Sequence, residues 1–504
     1  MGLLPKQFSR NPGGLLTALL CLWPALARAE SGVLAWVHRY DGGVAGEYAN
    51  AVAVDRSNNV IVTGNSARTY GPPPDGVADY VTIKYSSAGV PLWTNRYDGP
   101  WGQDDQAKAV AVDGSNDVIV TGWSDVGIGT SPTNSVRHPT NLCATIKYSS
   151  AGVPLWTNRY LWTNAYSTRG AQAVAADGSN NMIVAGSTTI KYSSAGVLLW
   201  TNNYRGGFYA WGGMAVDGSN DVIVAGNSPS EPDYVTIKYS SAGVPLWTNR
   251  YNGPGNKDDY PKAVAVDGSN NVVVTGYSTG SGNYYEYATI KYSSAGVPLW
   301  TNRYNGPGNA NAVAVEGSND VIVTGTSGTI KYSSAGDLLW TNNSNLDARA
   351  LTVDGSNNVV VTGSSNGSCV TIKYSSAGVP LWTNRYIWGG FSYADQGRAV
   401  AVDRSNNVIV AGQLADGGPG WDLVTIKYIC LPTPVMTELN WTNGIFQMRV
   451  EDLLQPGTLV IEASTNLAGW SPVFTNTTQT NVLFYTDPEA ANQPWRFYRA
   501  FQFQ

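Results

Sequence analysis

The sequence predicts an all-β protein, an eight-bladed β-propeller followed by a small module similar to a β-sandwich. Two sequence signatures that each occur eight times support this prediction, together with a C-terminal segment that lacks both of them. The chain has 504 residues, of which 43% are hydrophobic, so a large core is possible. No segment shows sustained helical periodicity.

The first signature, AVAVDRSNNVIVTG, begins at Ala51, and the second is TIKY. The acidic residue of the first signature recurs about every 50 residues, a period typical of propeller blades. Its eight positions are Asp55, Asp113, Asp177, Asp217, Asp267, Glu316, Asp354 and Asp403. The TIKY copies end at Tyr85, Tyr148, Tyr192, Tyr239, Tyr292, Tyr332, Tyr374 and Tyr428.

Each repeat contains four strand-like runs that are rich in Val, Ile, Thr, Tyr or Trp and bounded by Gly, Asn, Ser or Pro. In the first repeat these runs are Ala51–Val54, Val60–Thr63, Tyr80–Tyr85 and Leu92–Tyr97. The inner two runs are apolar nearly throughout, as expected when neighbouring blades cover both faces. The outer two carry Lys84, Asn95 and Arg96, and we expect these strands nearer the rim.

The last repeat lacks its fourth strand, because no SSAGVPLW segment follows Tyr428. A segment of the same type, Leu34–Tyr40, precedes the first repeat. We predict that this N-terminal strand completes the eighth blade and closes the ring, which removes exposed sheet edges. Blade 2 contains a local duplication, Leu155–Tyr160 followed by Leu161–Tyr166, and only one copy can fill the fourth-strand position.

The motifs AVDGSNDVIVTG and YVTIKYSSAGVPLWTNRY, which recur over residues 33–428, resemble the bacterial β-propeller repeat family called SBBP. This resemblance implies a secreted or surface propeller without a defined reaction. The segment YSSAGVPLW also resembles part of the tryptophan-docking repeat of quinoprotein propellers.

Residues 1–29 have the pattern of a secretory signal peptide that is cleaved after Ala29. Lys6 and Arg10 precede the short apolar stretch Leu15–Trp23, and small residues follow it. No later segment has the ~18 apolar residues of a membrane span. We therefore expect a monomeric bacterial protein that is secreted, periplasmic or at the cell surface.

The propeller is predicted over residues 30–430 and the C-terminal β module over 434–504. Four strand-like runs are visible in this module, namely Ile445–Val450, Thr458–Ala463, Val482–Tyr485 and Phe497–Phe501. The segments IEASTNLAGW and RFYRAF resemble a C-terminal module found on exported bacterial proteins.

Composition excludes several classes of function. The net charge of −5 argues against nucleic-acid binding, which needs a basic surface. The chain has only two histidines, His38 and His138, and neither accompanies a cysteine cluster or a nucleophile motif, so an imidazole metal centre or a catalytic triad is not expected. Cys143, Cys369 and Cys430 are interpreted as small hydrophobic residues without an intramolecular disulfide.

The acidic series occupies the hairpin Asp-Gly-Ser-Asn-Asn, where these side chains can bond their own backbone and hold the turn. A calcium-binding loop is the functional alternative. The hairpin of this chain, however, lacks the several carboxylates that such a loop carries. We therefore predict no cofactor and keep calcium as the alternative. The repeated tryptophans, such as Trp93, are interpreted as blade packing.

Strand order places the uniform GSNN and SSAGV turns on one face of the propeller and the variable loops on the other, where binding residues usually concentrate. Four acids, Glu47, Asp105, Asp259 and Asp395, share one register that would place them near the channel mouth. The predicted ligand-binding residues are Trp101, Asp105, Asp259, Tyr260, Trp388, Tyr393 and Asp395. An alternative use of the acids is local pairing with Lys108, Lys262 and Arg398.

Aromatic rings beside carboxylates suit sugars or cationic peptide groups. The preferred function is non-catalytic recognition of a glycan or peptide. One alternative is a carbohydrate-active enzyme, a hydrolase or lyase, that uses loop carboxylates. The other is a quinoprotein-like propeller or an assembly scaffold.

Overall fold

A computed structural model describes residues 30–43, 46–68, 77–129, 138–161, 170–203, 212–228, 232–282, 284–304, 307–387, 395–415, 420–432, 435–442, 445–451, 453, 457–465, 470–478, 480–490 and 496–503. Within these ranges the structure contains β-strands and no α-helix, and no helix there could cross a membrane. The chain divides into two compact units, one formed by Leu34–Tyr428 and another that contains Ile429–Gln504. The predicted signal peptide lies outside the described residues.

The propeller consists of eight four-stranded antiparallel sheets, the blades. Blade 1 contains β2 (Tyr48–Val54), β3 (Val60–Ala67), β4 (Ala78–Tyr85) and β5 (Pro91–Tyr97), and blade 2 contains β6 (Asp105–Val112), β7 (Val118–Gly129), β8 (His138–Tyr148) and β9 (Pro154–Leu161). Blade 3 contains β10 (Ala173–Ala176), β11 (Met182–Ala185), β12 (Thr188–Tyr192) and β13 (Leu198–Asn203), and blade 4 contains β14 (Met214–Val216), β15 (Val222–Asn227), β16 (Tyr234–Tyr239) and β17 (Pro245–Tyr251). In blade 2 the first copy of the duplication fills the fourth position, and residues 162–169 lie outside the described part.

Blades 5 to 8 follow the same plan, except that the eighth takes one strand from the N-terminus. Blade 5 contains β18 (Asp259–Val266), β19 (Val272–Thr279), β20 (Tyr285–Tyr292) and β21 (Pro298–Tyr304), and blade 6 contains β22 (Ala310–Val315), β23 (Val321–Gly325), β24 (Gly328–Tyr332) and β25 (Leu338–Asn342). Blade 7 contains β26 (Asp347–Val353), β27 (Val359–Ser365), β28 (Ser368–Tyr374) and β29 (Pro380–Tyr386), and blade 8 contains β30 (Gln396–Val402), β31 (Val408–Ala415), β32 (Trp421–Pro432) and β1 (Glu30–Tyr40).

The N-terminal strand closes the ring, as predicted. Blade 8 has the order β1-β32-β31-β30, so β1 occupies the fourth position. Arg39 of β1 forms an ion pair with Asp422 of β32. The first strands of consecutive blades contact one another around the whole circle, including β30 with β2, and therefore line its centre.

Burial follows the position of each strand in the blade. The second and third strands are buried along most of their length because neighbouring blades cover both faces, whereas the fourth strand alternates between exposed and half-buried residues. One expectation was wrong. Lys84 does not lie near the rim but is 2% exposed, because the third strand is an inner strand of the sheet.

The repeated tryptophan and the SSAG turn hold consecutive blades together. The Trp93 ring of blade 1 lies over Gly152 of blade 2, and its indole N–H donates to the Ser150 carbonyl at 3.2 Å. Lys84 donates to the same carbonyl oxygen at 3.1 Å. Equivalent tryptophan–glycine contacts are made by Trp36, Trp156, Trp200, Trp247, Trp300 and Trp340. The interpretation of the tryptophans as packing residues is confirmed.

A second set of contacts links the blades through the uniform turns. The side-chain oxygen of Asn116 in blade 2 accepts the backbone N–H of Arg56 in blade 1 at 3.0 Å. The same bond recurs around the circle and closes between Arg404 and Asn58 at 3.1 Å. The accepting asparagines adopt positive φ, for example 63° at Asn116, which asparagine tolerates better than most residues.

The C-terminal unit contains two three-stranded sheets. One has the order β33 (Val435–Thr442), β34 (Ile445–Glu451) and β37 (Val482–Asp487), and the other β36 (Ser471–Thr478), β35 (Gly457–Ser464) and β38 (Phe497–Phe503). Their apolar faces share a core that includes Phe446, Met448, Ile461 and Tyr485. The sequence had indicated four of these six strands and missed β33 and β36.

Candidate functional site

The uniform face is built from turns that each acidic residue stabilises. In the first turn Asp55 Oδ1 accepts the N–H groups of Ser57 at 2.8 Å and Asn59 at 2.9 Å, and Asn58 has a φ of 60°. The turn interpretation is therefore confirmed for this acid. Burial raises the pKa of Asp55, but bonds from Lys84 and Asn59 outweigh it, so that the pKa lies below its usual value.

A buried ion pair in every blade was not predicted. The lysine of TIKY contacts the acidic residue of the first signature, as in Lys84–Asp55 at 2.9 Å. The other pairs are Lys147–Asp113, Lys191–Asp177, Lys238–Asp217, Lys291–Asp267, Lys331–Glu316, Lys373–Asp354 and Lys427–Asp403. Because one carboxylate both holds its turn and pairs with the third strand, these acids are structural parts of the blade.

The acids predicted on the variable face are completely buried. Asp105 accepts the N–H of Gly99 at 2.5 Å, and Asp259 accepts that of Gly253 at 2.5 Å. Asp395 accepts the N–H of Ala415 at 2.8 Å. These carboxylates thus bind backbone amides of the variable loops and of neighbouring strands.

Burial also changes the acidity of these groups. Desolvation raises the pKa of Asp105 to about 6, and the charges of Asp79 and Asp98 add to this effect. Desolvation likewise raises the pKa of Asp259, partly offset by bonds from Ser278 and backbone amides. The pKa of Glu47 rises to about 7 for the same first reason.

The three basic residues considered as partners of these acids have other contacts. Lys108 donates to Gln106 at 2.8 Å, the Lys262 ammonium lies 5.2 Å from the centre of the Tyr277 ring, and the Arg398 guanidinium lies 5.0 Å from that of Tyr48. All three occupy a β-bulge in the first strand of their blade.

The bulge recurs in the first strand of six blades and places a polar residue at the same position in each of these strands. Asn50 in blade 1 donates to the Ala107 carbonyl of blade 2 at 2.7 Å, and Asn311 donates to Ala348 of the next blade at 2.8 Å. Side chains at this level therefore reach from one blade to the next. The residues concerned are Asn50, Lys108, Lys262, Asn311, Arg349 and Arg398.

Blade 5 carries an aromatic cluster, which we call the tyrosine patch (Tyr260, Tyr277 and Tyr285). The ring centres of Tyr260 and Tyr277 are 5.2 Å apart, and those of Tyr277 and Tyr285 are 4.7 Å apart. Tyr285 is 40% exposed. The Tyr260 hydroxyl donates to the exposed Asp258 at 3.1 Å. Tyr277 and Tyr285 were not among the predicted site residues, although both stand in a variable connection.

Of the other three predicted aromatic residues, the structure describes only Trp101, which does not join the tyrosine patch. Trp101 is 48% exposed and lies in the connection between blades 1 and 2. Trp388 and Tyr393 fall outside the described residues. The structure therefore brings together Tyr260, Tyr277, Lys262 and Asp258, but not Trp101.

The structure describes the surroundings of His38 and of three cysteines, Cys143, Cys369 and Cys430. The His38 ring stacks on Tyr85 with the ring centres 4.8 Å apart. No disulfide joins Cys143, Cys369 and Cys430 within the described residues, as predicted. Burial raises the pKa of Cys143 to about 11, which disfavours the reactive thiolate.

The chain is similar in structure to known β-propellers at low sequence identity. BamB from Moraxella catarrhalis is 14% identical over 79% of this chain and 100% of its own, with a TM-score of 0.47. The Neurospora crassa Pan2 WD40 domain is 10% identical over 80% and 96%, with a TM-score of 0.42. A streptogramin B lyase is 10% identical over 64% and 93%, with a TM-score of 0.41. No family model and no curated protein matches the chain.

Proposed function

We propose that this propeller is a non-catalytic binding protein whose variable face recognises a glycan or a peptide. The observation that carries the proposal is the tyrosine patch on blade 5. Its rings offer faces for stacking against sugar or peptide groups. Lys262 and Asp258 beside the rings supply both signs of charge for charge-assisted hydrogen bonds.

The remaining predicted site residues take two roles in this proposal. Trp101 provides a second exposed aromatic contact on the same face, and Trp388 and Tyr393 are further candidates. Asp105, Asp259 and Asp395 support the loops instead of touching the ligand, because their side chains are completely buried. The same burial favours binding over hydrolysis, since a catalytic carboxylate has to reach the substrate.

The proposal includes export. Residues 1–29 would direct the chain to the periplasm, the cell surface or the medium, and residues 434–504 would form a separate C-terminal module. N-terminal sequencing of the protein produced in a bacterial host should then begin at Glu30. An intact Met1 in the secreted fraction would contradict this part of the proposal.

Binding is tested with glycan and peptide arrays and the mature chain. For any ligand found, Tyr260→Ala and Tyr285→Ala should each weaken binding by about 1 kcal/mol or more, which is roughly fivefold. Ser269→Ala, in the uniform turn of the same blade, is the matched control and should leave affinity unchanged. A ligand that tolerates both tyrosine replacements, or that is lost with Ser269→Ala, would overturn the proposed face.

A further inference from the structure

Three carboxylates meet where blade 8 joins blade 1. Asp41 directly follows β1, Glu47 directly precedes β2, and Asp422 lies in β32. Each offers an oxygen atom, and these atoms lie within 4.8 Å of one another. Arg39 pairs with Asp422. Three carboxylates and one guanidinium leave two net negative charges at this closing seam.

Glu47 has a buried oxygen without a hydrogen-bond partner. Its side chain is 0% exposed, and within the described residues nothing donates to its Oε2. Ser66 makes only a long bond of 3.4 Å to Oε1. An unsatisfied buried carboxylate is costly, because water no longer solvates its charge.

The equivalent cluster between blades 1 and 2 already contains a cation. Asp79, Asp98 and Asp105 also bring their oxygen atoms within 4.8 Å of one another. There Arg68 lies 2.9 Å from Asp79 and 2.6 Å from Asp98. Arg96 also pairs with Asp79, at 3.3 Å. Two arginines therefore compensate Asp79 and Asp98 of this second cluster.

The sequence of blade 8 has no arginine at the position that corresponds to Arg68. Ala67 and Ala415 end the second strands of blades 1 and 8, so the residue that corresponds to Arg68 is Asp416 in the sequence. Asp416 itself lies outside the described residues.

We propose that the closing seam is a binding site for a hard divalent cation, Ca²⁺, with Asp41, Glu47 and Asp422 as its protein ligands. Carboxylate oxygens are the donors that Ca²⁺ takes, and two net negative charges match one such ion. The ligands lie directly after β1, directly before β2 and at the start of β32. The ion therefore ties the N-terminal strand to both blades at the junction that closes the ring.

The test uses the mature chain after removal of metal with EDTA. Calorimetric titration with CaCl₂ should show one ion per chain, and Tm should rise with Ca²⁺ concentration because the ion binds only the folded state. Glu47→Gln and Asp41→Asn should each weaken Ca²⁺ binding at least tenfold. Asp105→Asn, in the counterpart cluster, is the matched control and should bind Ca²⁺ as the parent does.

The exposed Asp41 keeps the test valid if Glu47→Gln fails to fold, because an exposed side chain can be changed without disturbing the core. A parent protein without binding heat or a Ca²⁺-dependent Tm would overturn the site. Unchanged affinity in Asp41→Asn would do the same. A response to MgCl₂ as large as that to CaCl₂ would contradict the assignment of Ca²⁺.

Discussion

Each blade of the propeller contains a buried ion pair between a lysine and an acid. In blade 7 the side chains of Lys373 and Asp354 are both 0% exposed, and their charged atoms are 2.7 Å apart. Removing one partner leaves the other charge buried without compensation, which typically costs 3–5 kcal/mol.

We therefore expect Lys373→Met to lower the free energy of unfolding by about 3–5 kcal/mol, measured by urea denaturation. The double variant Lys373→Met/Asp354→Asn is the control, and it should recover most of this loss, because no charge stays buried and the amide oxygen can still accept the N–H groups of Ser356 and Asn358. A single variant as stable as the parent would show that Asp354 finds another partner.

Asp105 should make the stability depend on pH. Its pKa is raised from 3.8 to about 6 in the folded state, so the folded chain binds a proton that the unfolded chain does not bind between these values. The contribution of Asp105 therefore becomes more favourable as the pH falls through this window.

Asp105→Asn stays neutral at every pH and should be more stable than the parent at pH 8 by about 3 kcal/mol, the equivalent of the raised pKa. At pH 4 this gain should largely disappear. Thermal melts of both proteins at the two pH values measure the difference. An equal gain at pH 4 and pH 8 would show that ionisation of Asp105 is not its cause.

For single residues, the sequence predicts contacts between chain neighbours better than contacts between residues far apart in the chain. The Asp55 turn could be predicted because donor and acceptor lie within four residues. The Lys84–Asp55 pair was missed, although both residues recur in every blade, because the third strand was expected near the rim. The tyrosine patch depends on how the second and third strands of blade 5 continue into their variable connection, which no repeat predicts.

Among the elements, the glycine of the SSAG turn tolerates little change. Gly243 has a φ of 81°, and a Cβ atom there would lie 2.7 Å from the Trp200 ring of the preceding blade. Gly213 has a similar φ of 79°, but a Cβ atom there would meet no atom within 4 Å. Comparing a substitution at each glycine therefore separates the cost of backbone strain from the cost of a clash between blades.

We expect Gly213→Ala to cost about 1–2 kcal/mol from backbone strain alone. Gly243→Ala should cost at least ~3 kcal/mol, because the methyl group also displaces the tryptophan. Chemical denaturation of both variants measures the difference. Equal losses would mean that the tryptophan moves aside at no cost.

The strands themselves were predictable where the pattern repeats. Eight aligned copies reveal the four strands of a blade, since turn residues bound each apolar run in the same place. The C-terminal unit has no internal copies, and β33 and β36 were missed there. The observed β36, SPVFTNTT, is mostly polar and largely exposed, so hydrophobic alternation gave no signal for it.

For the whole molecule, the prediction concerns the strand that closes the ring. Deleting residues 30–41 removes β1 and leaves β32 without its partner at the fourth position of blade 8. We expect a loss of several kcal/mol, a large share of typical domain stability. Hydrogen exchange should become faster in β32 than in the matched strand β4 of blade 1. Equal exchange and an unchanged Tm would contradict the role of β1.

Ring closure also orders the events of synthesis. Arg398 of blade 8 donates to Asn50 of blade 1 across 348 residues of chain. At 5–20 residues per second, a ribosome needs roughly 20–70 s to make this intervening chain. The strand made first is therefore the last to find its place, and blade 1 waits with one side uncovered until the eighth blade emerges.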